Sequence, residues 1–190
     1  KELKPTSISD LAAMVALFRP GPMNSIPEFI ERKHSRRQVK LLDPRMEEIL
    51  NKSYGVITYQ DDVLMIAVKL AGYTWVEADK LRKAMGKKIS SEMKKQKEKF
   101  VEGCVTKAMK KDKADKLWEL IEPFAGYGFN KAHAVAYGLV AYQTAYVKSH
   151  YPVEYMTALL TAESAGASGP ARNEKIAKAL CFFAVAATIA

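Results

Sequence analysis

One run constrains this chain more than any other: PFAGYGFNKAHAVAYGLVAYQTAYVKSHYP, bounded by Pro123 and Pro152. Proline ends helices because it lacks an amide donor and clashes with the preceding turn. Inside the run, Gly126 and Gly128 allow a tight turn or a close backbone approach. A long Tyr-rich helical pattern follows. The segment therefore reads as a glycine-rich loop feeding one long helix. Asn130, Lys131 and His133 stand where that helix begins. The first turn of a helix has free N–H groups and a partial positive charge, which favour anions. A loop-to-helix junction bearing Lys and His reads either as a phosphate or nucleotide contact or as a rigid core turn.

The rest of the chain also punctuates itself as helices. Ser7 with Asp10 caps a helix carrying Leu11, Met14, Val15 and Phe18, and RPGP (19–22) stops it. Pro27 opens a short helix through Phe29 and Ile30, and residues 46–50 offer another. GVITY (55–59) is the one strand-like stretch, rich in β-branched and aromatic residues. Val63, Ile66, Ala67 and Leu70 then line one helical face, which Gly72 terminates. Thr74 and Glu77 form a capping box for a helix with Ala78, Leu81 and Met85 inside and Gly86 at its end. Ser90 or Ser91 caps a long helix with the stripe Met93, Phe100, Cys104, Val105 and Ala108. Ala114, Leu117, Trp118 and Ile121 mark a shorter one. Residues 153–162 read as a last core helix, and 163–173 as a flexible loop. The expected fold is mainly α with a minor short β element.

At 190 residues, the chain can bury one sizeable core. Its net charge of +9 and pI near 9.4 favour an anionic partner. Cys104 and Cys181 are isolated, which fits a reduced cytoplasmic compartment rather than a disulfide framework. The three histidines show no zinc spacing. The only long apolar run, 179–190, is too short to span a bilayer, so no membrane partner is expected. The chain begins Lys-Glu-Leu-Lys rather than with Met, the expectation for a piece of a longer polypeptide.

The basic charge is concentrated. Between Arg82 and Lys116 there are 13 Lys and Arg against 5 Asp and Glu, nearly the whole excess of the chain. The lysines at 94–99 and 107–116 read as a solvated face. Arg82 and Lys83 sit at the edge of a packed helical face beside a Gly-Lys-Lys turn, where a planar fork and a mobile point charge suit a triphosphate. A second basic site combines Arg19, held beside a Pro-Gly-Pro turn, with Arg32, Lys33, Arg36 and Arg37, which read as exposed phosphate contacts or as a plain surface loop. Carboxylates placed to hold two magnesium ions are missing. Asp61 and Asp62 are adjacent and point to different sides. Tyr142 and Tyr146, one turn apart, suit core packing better than base stacking.

Several motifs together resemble one family. LFRPGPM, RKH, YGVITYQ, LAGYTWVEADKLRKAMGKK, QKEKFVEG, the run from Phe124 to Met156, and LLTAE follow in this order in the α subunit of bacterial DNA polymerase III, the replicative C-family polymerase. The resemblance covers about residues 3–178. It implies a fingers domain over 1–165, a loop and helix start over 166–178, and a divergent apolar tail over 179–190. It implies that Arg82 and Lys83 meet the triphosphate of an incoming deoxynucleotide. His133 then lies beside its sugar, with Lys131, Asn130 and Gly128 at the same turn. Template-primer DNA would meet Arg19, Arg32, Lys33, Lys87 and Lys88. Mg2+ would be held by a palm domain, not by this segment. The implied partners are palm and thumb domains of the same chain and replisome subunits of the holoenzyme. Lys83 stands where the family has Arg, Ala132 where it has Ser, and YQDDVL where it has YQEQVM. The competing reading is a non-catalytic basic helical module that grips nucleic acid or docks a replisome partner.

Overall fold

The computed structural model describes residues 2–87, 90–122 and 128–165. The protein is mainly helical: α1 (Ile8–Leu17), α2 (Ile26–Lys33), α3 (Glu47–Leu50), α4 (Gln60–Ala71), α5 (Trp75–Lys87), α6 (Ser90–Thr106), α7 (Lys111–Ile121), α8 (Lys131–His150) and α9 (Pro152–Ala165). It divides into two units, Lys1–Leu139 and Val140–Ala190, with the boundary inside α8. No helix among the described residues is long and apolar enough to cross a membrane.

Local signals account for most of the boundaries. The Ser7 hydroxyl accepts from the Asp10 amide and caps α1. Gly21, at φ 100°, turns the chain in a region that L side chains avoid. Gly72, at φ 70°, ends α4 in the left-handed conformation. Thr74 and Glu77 form the expected capping box on α5, with Glu77 accepting from the Thr74 amide and Thr74 from the Glu77 amide.

The principal core lies among α3 to α7. Ile66 and Leu70 of α4, Leu81 of α5, Phe100 and Cys104 of α6, and Leu117, Trp118 and Ile121 of α7 are fully buried there. Phe100 packs between Tyr73 and Trp118, at ring-centroid distances of 6.3 and 5.5 Å. A Cβ on Gly103 would collide with the Ala71 carbonyl, so this glycine is what lets α6 cross α4 closely. A second cluster joins Leu3, Ala13, Leu17, Phe29 and Val56. A third joins Ala12 and Ala16 of α1 to Tyr59 and Ala134, with Val15 and Phe129 packed against it. Small side chains make this third contact possible: a Cβ on Gly138 of α8 would sit 3.1 Å from the Ala12 amide nitrogen.

Four expectations need correction. The stretch 55–59 is no strand, and none is found among the described residues. Val56, Ile57 and Thr58 are buried, but no second strand among the described residues pairs with the stretch. Its donors go elsewhere: Val56 to the Ser53 carbonyl, Thr58 and Tyr59 to the Asp62 carboxylate. β-branched content signalled burial here rather than a ladder. Gly86 does not end α5, which runs on to Lys87. Ala108 lies beyond α6 at φ 65°, and Val105 faces solvent; Val101 takes the inward position instead. The last helix extends through residues 163–165, which read as loop in the sequence. The break at Pro123 and Gly126, the remainder of that loop, Cys181 and the tail 179–190 lie outside the described residues.

Candidate functional site

The start of α8 is built from three segments. Asn130 caps it, its Oδ1 accepting from the His133 amide at 2.8 Å. The Lys131 amide donates to Asp61 Oδ2 at 3.3 Å, so a carboxylate from the start of α4 already faces this positive helix end. The Gln60 amide donates to the Phe129 carbonyl at 3.1 Å. These bonds dock the Gly128–Asn130 turn on the start of α4. Lys131 and His133 are exposed, and the Lys131 ammonium stands 5.5 Å from the Tyr59 ring centroid.

Asp62 is buried, 3% exposed, and accepts from the Thr58 and Tyr59 amides at 3.0 and 2.9 Å. Burial pushes its carboxyl above the usual range despite those two bonds. Both acidic residues of the Asp61–Asp62 pair are thus used to fasten helix starts. Among the described residues, no group of three or more His, Cys, Asp or Glu side chains is arranged to hold a metal ion.

Aromatic contacts order the same turn. The Phe129 ring is half-buried. The His133 ring lies 5.5 Å from it on one side and 4.5 Å from Tyr137 on the other. The Arg19 guanidinium stands 4.5 Å from the Phe129 centroid, and its Nε donates to the Ala16 carbonyl at 2.6 Å. Partial burial lowers the Arg19 pKa, but an arginine so placed keeps its charge.

Arg82 and Lys83 form a second cluster on α5. Both bind the Asp79 carboxylate, Arg82 Nη2 to Oδ1 and Lys83 Nζ to Oδ2, each at 2.7 Å. These bonds, Lys83 first and then Arg82, hold Asp79 below the usual carboxylate range. Lys83 is exposed and Arg82 half-buried, with side-chain exposures of 63% and 41%. Glu77 at the start of α5 is pulled down to about 2, first by the Lys99 ammonium at 2.6 Å and then by the Thr74 amide. Lys99 thereby ties α6 to the start of α5. Lys87 closes α5 and its side chain lies outside the described residues, as does Lys88.

The second basic site is not the exposed surface expected of it. The Arg32 side chain is only 12% exposed; it binds Glu28 at 2.7 Å and the Tyr54 carbonyl at 3.3 Å. Lys33 is 5% exposed and binds Asp10 at 3.2 Å and Thr6 Oγ1 at 2.9 Å. For Lys33 the cause is Asp10, which is fully buried and needs a cation. Arg36 and Arg37 stay exposed, as expected. Tyr142 and Tyr146 are also exposed, at 50% and 46%, rather than packed in a core. The Tyr146 ring stacks on His150 at 4.1 Å.

Asp79, Phe129 and Tyr59 are site residues that sequence reasoning missed. Asp79 had a readable signal, lying three and four residues before Arg82 and Lys83 on one helix face. Phe129 showed only its four-residue spacing to His133, while its contact with Arg19 and that of Tyr59 with Lys131 join distant segments and left no signal.

The chain matches the family model of the bacterial DNA polymerase III alpha subunit finger domain over residues 1–117. It is 49% identical over 170 residues to the DNA polymerase III subunit alpha of Pseudomonas aeruginosa, covering 86% of this chain and 14% of that protein. The Thermus aquaticus protein of the same name is 46% identical over 183 residues, covering 94% of this chain and 15% of its own length. The Rickettsia prowazekii one is 50% identical over 163 residues, covering 86% and 14%. The chain thus spans about one seventh of the length of the relatives it matches.

Proposed function

The chain belongs to the bacterial DNA polymerase III α subunit family, as its finger domain, and from that premise we propose that it binds the incoming deoxynucleoside triphosphate and template-primer DNA during template-directed synthesis. The observation that carries the reading is the convergence of Arg82 and Lys83 on the two oxygens of one exposed carboxylate. That arrangement is anion chelation already formed, with a side chain standing where a phosphate group would bind. Arg supplies a planar fork and Lys a point charge, so together they neutralise a triphosphate without having to be gathered first.

His133 is the residue set against the nucleotide sugar. Its position at the third residue of α8 is fixed by the Asn130 cap, and its ring by flanking aromatics. Lys131 and Gly128 complete the exposed turn. The finger domain contributes positioning and charge neutralisation to phosphoryl transfer. Magnesium would supply Lewis-acid activation there, but Asp61 and Asp62 are spent on helix starts and do not fit its octahedral oxygen set. It belongs with palm carboxylates. Lys87 and Lys88 are the basic residues by which this domain meets DNA phosphates, while Arg32 is paired with the half-buried Glu28 and Lys33 with the buried Asp10.

Steady-state kinetics of the full-length polymerase test the reading. Arg82→Ala is expected to raise the nucleotide KM by roughly 10- to 100-fold, the loss of a charge-assisted bond, with primer-template affinity nearly unchanged. Equal nucleotide dependence in variant and parent would remove the triphosphate role.

A further inference from the structure

The Arg19 guanidinium and the His133 imidazole both contact one ring, that of Phe129, although the three residues come from the turn after α1 and from the start of α8. We propose that Phe129 is a positioning residue for sugar selection, and that Arg19 acts through it on His133 instead of serving as a DNA-phosphate contact.

Three observations support this, and the inference rests on the sugar-side reading of His133. First, the backbone around Phe129 is fastened on both sides: its carbonyl accepts from Gln60, and Asn130 caps the helix that follows. Its ring is half-buried against Ala12, Ala16, Tyr59 and Ala134. Phe129 is therefore a fixed surface against which an exposed imidazole settles. Second, His133 is an exposed side chain whose ring lies between two aromatic neighbours, Phe129 and Tyr137. Ring contacts of this kind select one orientation from the rotamers an exposed His otherwise samples. Third, Arg19 is itself anchored. Its Nε bond to the Ala16 carbonyl ties it to the last turn of α1, and the Pro20-Gly21-Pro22 turn follows directly. A cation held over an aromatic face is attracted by the ring quadrupole. The consequence runs in one direction, from α1 through Arg19 and Phe129 to the imidazole. Discrimination against a ribose 2′-hydroxyl depends on where that imidazole stands.

The test is a double-mutant cycle in the full-length polymerase, read as the ratio of kcat/KM for a deoxynucleotide to that for the matching ribonucleotide. Phe129→Leu keeps an apolar side chain but removes the ring and is expected to lower this ratio roughly two- to tenfold, the worth of an aromatic contact. Phe129→Tyr restores the face and is expected to recover it. Arg19→Met is expected to lower the ratio in the same direction, and to add little in the Phe129→Leu background. A full ratio in Phe129→Leu overturns the inference, as does additive loss in the double variant. Should Phe129→Leu not fold, Arg19→Met alone decides: a relaxed ratio with unchanged primer-template affinity supports the inference, and an unchanged ratio sinks it. His133→Ala run alongside separates the two readings. If it relaxes selection and Phe129→Leu does not, only this inference fails; if it leaves selection intact, the sugar-side reading fails with it.

Discussion

The Arg82 guanidinium and the Asp79 carboxylate are joined by two hydrogen bonds to the same oxygen, Nε and Nη2 to Oδ1 at 2.9 and 2.7 Å. Lys83 takes the other oxygen. On the proposed reading, in which these two cations serve a triphosphate, Asp79 is a competitor for the same donors. Asp79→Asn is therefore expected to lower the nucleotide KM of the full-length enzyme about two- to fivefold, the scale of releasing an exposed ion pair, with no change in thermal stability. A higher KM would mean that Asp79 orients the two cations rather than withholding them.

Asn130 satisfies an amide at the start of α8 that no other helical carbonyl reaches. Asn130→Ala is expected to cost about 1 kcal/mol in urea unfolding. Asn130→Asp is expected to recover it, since Asp caps equally well and its charge complements the helix end. Equal stability of the Ala variant would show that the cap bond contributes nothing.

Two glycines in neighbouring helices should respond with opposite signs. Gly103→Ala drives a methyl group into the Ala71 backbone, which cannot give way as a side-chain tip would, and is expected to cost about 1–3 kcal/mol or more. Gly86, in the last turn of α5, has nothing within 4 Å of an added Cβ. Gly86→Ala is expected to stabilise by about 0.5–1 kcal/mol through helix propensity. Chemical denaturation of both variants checks the contrast.

Asp10 sets an acid limit on stability. Burial alone would raise its pKa, but the Thr6 amide, the Tyr54 hydroxyl and the Lys33 ammonium outweigh that and hold it below its ordinary 3.8. A carboxylate lowered in the folded state contributes stability above its unfolded pKa and loses it as pH falls through the folded value. The parent protein should thus lose stability below about pH 4, and Asp10→Asn should show less of that loss while being less stable at pH 7. Asp10→Ala, which strands Lys33 in a nearly dry site, is expected to cost about 3–5 kcal/mol. Thermal unfolding from pH 3 to 7 measures both effects.

What the chain announces by itself is local. Ser7, Gly72 and the Thr74–Glu77 pair mark helix ends because capping acts within three or four residues. The inward faces of α4, α5 and α7 follow from the 3.6-residue period, and the ordered motifs carry the family resemblance by themselves. The β-rich look of residues 55–59 misled, because a strand exists only if another strand meets it, and none among the described residues does. The direction of Arg32 and Lys33 was equally hidden. A Lys-Arg run looks solvated until a buried carboxylate 23 residues away in sequence, Asp10, claims Lys33. Arg19 over Phe129 and Lys131 over Tyr59 join segments far apart in the chain. Residue spacing reports the next turn of a helix; only the packed tertiary structure decides which distant charges and rings come within 6 Å of one another, and there the candidate site takes its shape.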